Sequence, residues 1–598
     1  RGGIRWTFAP MVDICRDPRW GRIAEGYGED TYLCSRLAEA AVKGYQGDGL
    51  GGKDRVLACM KHFIAYSACI GGRDYDSADL SMQTIHDVYL PPFIAGIQAG
   101  VATFMSAFED VNGVPATANR YLLTELLREQ LGFKGFVVSD AGGVKELIPH
   151  GFAEGPSDAV EKAFTAGVDM IMSGDFYNEN LPALVEAGKV SMEQIDTAVL
   201  RILTLKYACG LVDDPLVDEA GEEVFFHPDH IDAAYRAAVK TFVLLENNGI
   251  LPLKTDTKKI ALIGPYADDA IAARELLGTW ASMCDPAHTV CLADGLRTAL
   301  PQAEITTARG CDFHESDNKD ADDRMFAQAV ETAKGADVVI VAVGEEEEMS
   351  GEASSITDIR LTGRQEALID AAIETGHPVI VLVAASRPMV LTHFNKRVDA
   401  LMMIWNPGTA AGNAVADVLV GKHSPSGHLT TSFPVTVGQL PIYYNHFNTG
   451  RPTLGKWKFE AKYRDCQVEP LYPFGYGLSY TDFSFENIRL SADTMPIDGQ
   501  IDVTVTVKNN GKTAGATVVQ MYVRDLIGSR VRPVKELKGF KRVFLQAGES
   551  QTITLPLPAD ALAFHNPAME RVVEPGTFKL WIAQHAQDNS NETTFKVI

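Results

Sequence analysis

From the N-terminus to about residue 210, short apolar runs alternate with stretches whose apolar residues recur at helical spacing, the pattern of βα repeats on a parallel sheet. The runs at 4–11, 56–60, 102–106, 136–139 and 168–172 predict strands, with a degenerate sixth expected near Val190. Between two of them, Leu122, Leu123, Leu126 and Leu127 mark one face of a helix that Asn119 would cap and Gly132 would end. A closed (β/α)8 TIM-like barrel needs eight strands, so the pattern predicts a barrel that is incomplete at its N-terminus. Several runs finish at polar residues, namely Asp13, Lys61 with His62, and Asp140. Strand C-termini form the catalytic face of such barrels, which makes this placement functionally suggestive.

A second βα series has strands expected at 259–264, 338–344, 378–384 and 401–405, with helical patterns such as 365–374 between them. It predicts an α/β sandwich whose ligand crevice lies beyond the strand C-ends, where the segment GEEEEMSGE (344–352) falls. From 439 to 480 the chain is rich in Pro, Gly, Asn and Tyr and reads as a connecting loop. After Asp482, alternating runs such as IDVTVTV and ATVVQMYV predict a fibronectin type III-like β-sandwich. The expected organisation is therefore α/β multidomain: barrel at 1–210, linker at 211–239, sandwich at 240–435, loop at 436–481 and fibronectin type III-like domain at 482–598.

Composition narrows the classes. With 46% hydrophobic and 22% charged residues the chain is that of a globular enzyme, and no run approaches a bilayer span. A formal net charge of -24 without basic runs disfavours nucleic acid and anionic membrane surfaces, whereas a neutral sugar fits. The nine cysteines show no zinc-ligand spacing, and neither a metal nor another cofactor is expected. Cys284 and Cys291 are spaced so that they could close a short loop. The first residues lack the charged start and apolar stretch of a signal peptide.

Cleaving a glycosidic bond takes one carboxyl group to protonate the leaving oxygen and another to support or attack the anomeric centre. Asp140 ends the apolar run GFVVSD and would be presented at the barrel mouth, although a strand-end Asp is often a helix cap. Among the glutamates Glu345 to Glu348 and Glu352, the plain expectation is a solvated charge run. Glu352 is set apart by Met349, Ser350 and Gly351, and could turn inward while the others stay in water. Lys61 and His62 could donate to sugar hydroxyls or be a structural ion pair and a core histidine. Arg22 could grip hydroxyls or pair with Glu25, Glu29 or Asp30. Trp20, Trp280, Met105 and Phe108 could supply an apolar platform, or simply be core.

The runs FAPMVDICRDPRWGRIAEGYGED, KHF, MSAFEDVNGVPATAN, LGFKGFVVSD and YPFGYGLSYT resemble, in order, the signature blocks of the β-glucosidases of glycoside hydrolase family 3. The resemblance implies a (β/α)8-like barrel, an α/β sandwich and a fibronectin-like domain. It implies a retaining exo-acting β-glucosidase with Asp140 as nucleophile and Glu352 as general acid/base, their carboxyls roughly 5 Å apart. It also places Arg22, Lys61, His62, Met105 and Phe108 around the sugar. Oligosaccharides or β-glucosides would be the substrates, and a periplasmic or secreted location would suit bacterial members. Three departures bear on specificity. Ala141 stands where many members have a tryptophan platform, Phe108 where many have a tyrosine, and KHFIAYS differs from the KHFPGHG of the family's N-acetylglucosaminidases. Relatives carry a further N-terminal stretch that supplies the first barrel strands and a sugar-gripping aspartate. The alternatives are a β-xylosidase or mixed-specificity exo-glycosidase on the same scaffold, and a catalytically silent carbohydrate-binding protein. The loop at 445–472, with Phe447, Arg451, Trp457 and Arg464, has the make-up of an interface and could fold over its own site or over a neighbour's in a homodimer.

Overall fold

The runs CMKHF, TFMS and FVV are buried at almost every position, so they form strands only where both faces are covered. In the computed structural model, which describes residues 3–217, 219–281 and 284–598, Cys59–Phe63, Thr103–Ser106 and Phe136–Val138 pair in parallel in that order. Single parallel bridges extend this sheet at both edges. Trp6 pairs with Leu57 and Met11 with Lys61 on one side, and Val138 pairs with Met170 on the other. All five expected strands are thus side by side in chain order, the two outermost only as bridges. Val190, expected near a sixth strand, lies instead in the turn between the helices Phe176–Glu186 and Met192–Ala208, its side chain buried. The short apolar run there is too brief to pair and serves to seat that turn.

The leucine-faced helix is present at Tyr121–Gln130, with all four leucines buried. Asn119 Oδ1 accepts from the Leu122 N–H at 3.2 Å, and Gly132 follows at a φ of 74°. Asp169 locks the sheet edge. It accepts from the Val137 N–H at 2.8 Å and pairs with Arg128 at 2.5 Å and Arg201 at 2.7 Å. Burial pulls the Arg128 guanidinium down to about 10, and Asp169 opposes this.

These elements belong to the first of two compact units, which runs to Phe225 apart from Gly21–Ala24 and takes in Pro567–Glu570. The second unit holds the remaining residues. Its six-stranded sheet has the order Val243–Asn247, Ala400–Met403, Val379–Ala384, Val338–Gly344, Lys259–Ile263 and Glu304–Ala308. Only the pairing of Val243–Asn247 with Ala400–Met403 is antiparallel. Apolar clusters cover both faces, which is why the central strands are fully buried. Two of these strands have no sequence expectation behind them. Glu304–Ala308 is a half-exposed, threonine-rich edge, and Val243–Asn247 follows directly on a helix.

Beyond a long irregular segment, strands Phe483–Leu490, Gln500–Asn509 and Ser550–Pro558 pack over a five-stranded sheet that includes Gly515–Asp525, Glu536–Leu545 and Gly576–Ala583. Gln500–Asn509 alternates buried and outer positions along its length, as a half-buried sandwich strand must. All nine cysteines are thiols, so the loop closure considered for Cys284 and Cys291 is not made. No helix among the described residues is long and apolar enough to cross a membrane.

Candidate active site

In the first unit the strand Phe136–Val138 delivers Asp140 to the C-terminal edge of the sheet, where it is 7% exposed. The Ala141 N–H donates to Asp140 Oδ1 at 2.7 Å, and the Gly143 N–H donates to its carbonyl. His62 lies near the end of Cys59–Phe63, two strands away in the same sheet, and its Nε2 is 3.3 Å from Asp140 Oδ2. On the other side of the ring, Nδ1 lies 2.8 Å from Asp13 Oδ2, and the His62 backbone N–H donates to that same oxygen at 3.1 Å. Tyr66 packs edge-on against the imidazole, with ring centroids 5.0 Å apart. The three strand ends therefore place Asp13, His62 and Asp140 in one buried row, a carboxylate oriented through an imidazole by a second carboxylate.

Lys61 keeps its ammonium 3.5 Å from Glu25. Met105 is buried in the sheet's core with Leu57, Cys59, Phe136 and Val138, which favours the core reading over an exposed platform. Phe108 packs against Tyr66 and Tyr75. Trp20 is fully buried with its indole N–H on Asp74, so it too is core, whereas Trp280 is 60% exposed. Glu109 has no exposed surface, and among the described residues neither carboxyl oxygen has a hydrogen-bond partner in another residue. Burial raises its carboxyl well above the ordinary range, and the charges of Asp13, Asp110 and Asp74 add to this. A cavity of about 430 Å³, lined by Ser139, Gly142, Val144, Ile171 and Phe176 among others, opens beside the Asp140 turn.

In the second unit, Glu352 sits on the loop that follows the strand Val338–Gly344, its side chain 28% exposed and 3.7 Å from the Arg22 guanidinium. Arg22 itself is buried. Of the five loop glutamates only Glu348 is solvated, which overturns the plain expectation for this run. Glu345 is still in the sheet, donating its N–H to Ala384, and is buried against Arg387 at 2.8 Å. Glu346 meets His314 and Glu347 meets Arg274. Burial raises the Glu345 carboxyl, and Arg387 opposes that rise. The turn itself is tight. The Gly351 N–H donates to the Gly21 carbonyl at 2.9 Å, and a Cβ on Gly21 would stand 2.2 Å from the Gly351 carbonyl oxygen. A cavity of about 570 Å³ elsewhere in this unit, beside Tyr235 and Asp417, contains none of the candidate residues.

In the sequence, Asp13, Glu25 and Glu345 come into view without being given a role at the site, and Arg387 is not singled out at all. Asp13 closes the run FAPMVD as Asp140 closes GFVVSD, and that parallel was the available signal. Among the described residues no cluster of His, Cys, Asp and Glu is arranged to hold a metal ion.

A parallel strand array ending in paired carboxylates, followed by an α/β sandwich and a β-sandwich, defines a multidomain glycosidase architecture. The chain belongs to glycosyl hydrolase family 3: residues 1–205 match the family's N-terminal domain, 242–480 its C-terminal domain, and 517–586 a fibronectin type III-like domain. It is 42% identical to a periplasmic β-glucosidase of Salmonella typhimurium, over 97% of this chain and 79% of that protein. It is 36% identical to a β-xylosidase of Formosa agariphila, over 99% and 83%. Solved structures of a β-glucosidase from Listeria innocua, with glucose and, as a mutant, with laminaribiose, superpose with TM-scores of 0.94 and 0.95 at 38% identity. They cover 100% of this chain and 81% and 82% of the Listeria chain.

Proposed function

We propose that this chain is a retaining exo-acting β-glucosidase that releases terminal, non-reducing β-D-glucosyl residues from oligosaccharides or glycosides. The observation that carries the reading is the row Asp13, His62, Asp140, which sets an imidazole nitrogen 3.3 Å from one carboxylate oxygen of Asp140 and leaves the group at a strand end. Asp140 attacks the anomeric carbon while Glu352 protonates the departing oxygen, and the electron pair of the broken bond leaves with the aglycone. Glu352, now ionised, takes a proton from water, whose oxygen displaces Asp140 and releases glucose with its configuration retained. Arg22 and Lys61 supply donors to sugar hydroxyls. His62 and Met105, having no free surface, shape the site from beneath, with Phe108 beside them.

Trapping with a 2-fluoro glucosyl fluoride tests this directly. A labelled peptide containing Asp140, together with β-glucose as the first product seen by NMR, is the expected result. Label elsewhere, or α-glucose first, would overturn it. Glucose binding by calorimetry with no turnover of any activated glycoside would favour a binding protein instead. The Formosa β-xylosidase supports a second reading, a xylosidase or mixed specificity, and kcat/KM for nitrophenyl glucoside against xyloside decides between them.

With domain limits at 1–210, 240–435 and 482–598, limited proteolysis is expected to cut first at 211–239 or 436–481. A periplasmic location accords with the name of the Salmonella relative and is checked by fractionating the source cells. Self-association is supported by Phe447, Leu454, Trp457 and Phe459, all exposed on one loop, and light scattering measures it.

A further inference from the structure

The strand Val338–Gly344 ends where its ladder ends. Gly344 runs so close to the next strand that a Cβ there would stand 1.7 Å from the Ala384 oxygen, and Glu345 makes the last ladder bond. Glu352 lies seven residues further on, in a loop whose regular structure is one turn of 3-10 helix, Glu347–Met349. Two residues next to it hold left-handed backbone, Gly351 at a φ of 96° and Ala353 at 58°. The alanine in particular costs of the order of 1 kcal/mol in that region and persists only if its surroundings enforce it.

What enforces it is one buried guanidinium. Arg387 comes from the segment after the strand Val379–Ala384 and has no exposed surface. Its Nε lies 2.8 Å from Glu345 Oε1, and Nη2 donates to the Met349 carbonyl and, at 3.3 Å, to the Ser354 carbonyl. Those two carbonyls stand three residues before and two residues after Glu352. A side chain tied to the sheet through Glu345 thereby clamps both ends of the turn. A strut runs alongside, in which the Ser350 hydroxyl meets Thr279 at 2.7 Å and Ser386 at 3.1 Å, while Asn406 holds Ser386 at 2.5 Å. A lysine would keep the charge but lacks the planar fork that meets one carboxylate and two carbonyls together.

We infer that Arg387 is the positioning residue of the general acid/base, holding the loop so that the Glu352 carboxyl meets the leaving-group oxygen. This rests on the assignment of Glu352 made above. Misplacing a catalytic group by about 1 Å costs up to ~100-fold. The cost falls only on steps that need the proton, so departure of a poor leaving group suffers and departure of a good one does not.

The test measures kcat/KM for dinitrophenyl, nitrophenyl and phenyl β-glucosides with the parent, Arg387→Lys and Glu352→Gln. The expected result for Arg387→Lys is a loss of about 10- to 100-fold on the phenyl glucoside and under about 3-fold on the dinitrophenyl glucoside. An equal loss on all three, or none, overturns the inference. If Arg387→Lys does not fold, the double variant Arg387→Met/Glu345→Met replaces it. It removes both buried charges, a change often neutral for stability, but still removes the clamp, and the same steepening is expected of it. Glu352→Gln separates the two claims. Steepening in Glu352→Gln but not in the Arg387 variants sinks the clamp alone, whereas its absence in Glu352→Gln sinks the acid/base assignment.

Discussion

The two carboxylates proposed for catalysis are held in opposite ways. Asp140 stands two residues past a strand paired on both sides, so its backbone is placed by sheet register and its side chain by His62. Glu352 stands eight residues past the end of its strand, on strained irregular backbone, and is placed by a side chain that follows it by 35 positions in sequence. A group set by register depends on many backbone bonds, each individually dispensable. A group set by a clamp depends on a buried ion pair, and breaking such a pair by removing one partner costs about 3–5 kcal/mol.

The largest expected effect falls on the register-held group. Asp140→Asn should lower kcat on nitrophenyl β-glucoside by roughly 10⁴- to 10⁶-fold with an unchanged circular dichroism spectrum, since the nucleophile is removed and its scaffold is not. Next, Asp169→Ala should lower the unfolding free energy of the first unit by about 3–5 kcal/mol in urea, because it strands Arg128 and Arg201 and frees the Val137 N–H. Its kcat per folded molecule should nonetheless stay within about 3-fold of the parent, as the Asp169 side chain takes part in neither the Val138–Met170 bridge nor the His62 and Ala141 contacts that orient the Asp140 side chain. If that kcat collapses, the contrast drawn above fails.

Asp13→Asn should lower kcat by about 10- to 100-fold through the orientation of His62. Here the loss should be the same for good and poor leaving groups, the reverse of the pattern expected at Arg387, so the two substitutions side by side sharpen the distinction. The smallest effect concerns Glu109. Its carboxyl is raised by burial, so above the ordinary value of 4.5 the unfolded chain releases a proton that the folded chain retains, and stability falls as the pH rises. Glu109→Gln should therefore raise the unfolding free energy by about 1–3 kcal/mol at neutral pH. The gain should vanish below about pH 4, where the side chain is neutral in both states; thermal melts across that range read it directly.

Much of the fold was legible because buried parallel strands must be apolar on both faces, and VVIVAVG and VIVLVA announce themselves. EITTA does not, since an edge strand needs to cover only one face. At the site, Asp140 and His62 were visible as polar residues closing apolar runs, and Asp13 carried the same mark. The clamp was not visible. Glu345 lies within a run of four glutamates, and its partner Arg387 is 42 positions away, so composition reads as solvated what the fold buries. Periodicity reports which face is apolar, and it is blind to a pairing made inside the core by loops of two different strands.

Seven of the nine thiols are buried, leaving Cys284 exposed and Cys466 half-buried. Burial raises the Cys34 and Cys69 thiols and takes Cys59 and Cys311 up to about 12, and thiols so protonated are poor nucleophiles. Among the described residues no disulfide ties the fold together. Reductant in the assay buffer is therefore expected to leave whatever holds the two carboxylates in place unchanged.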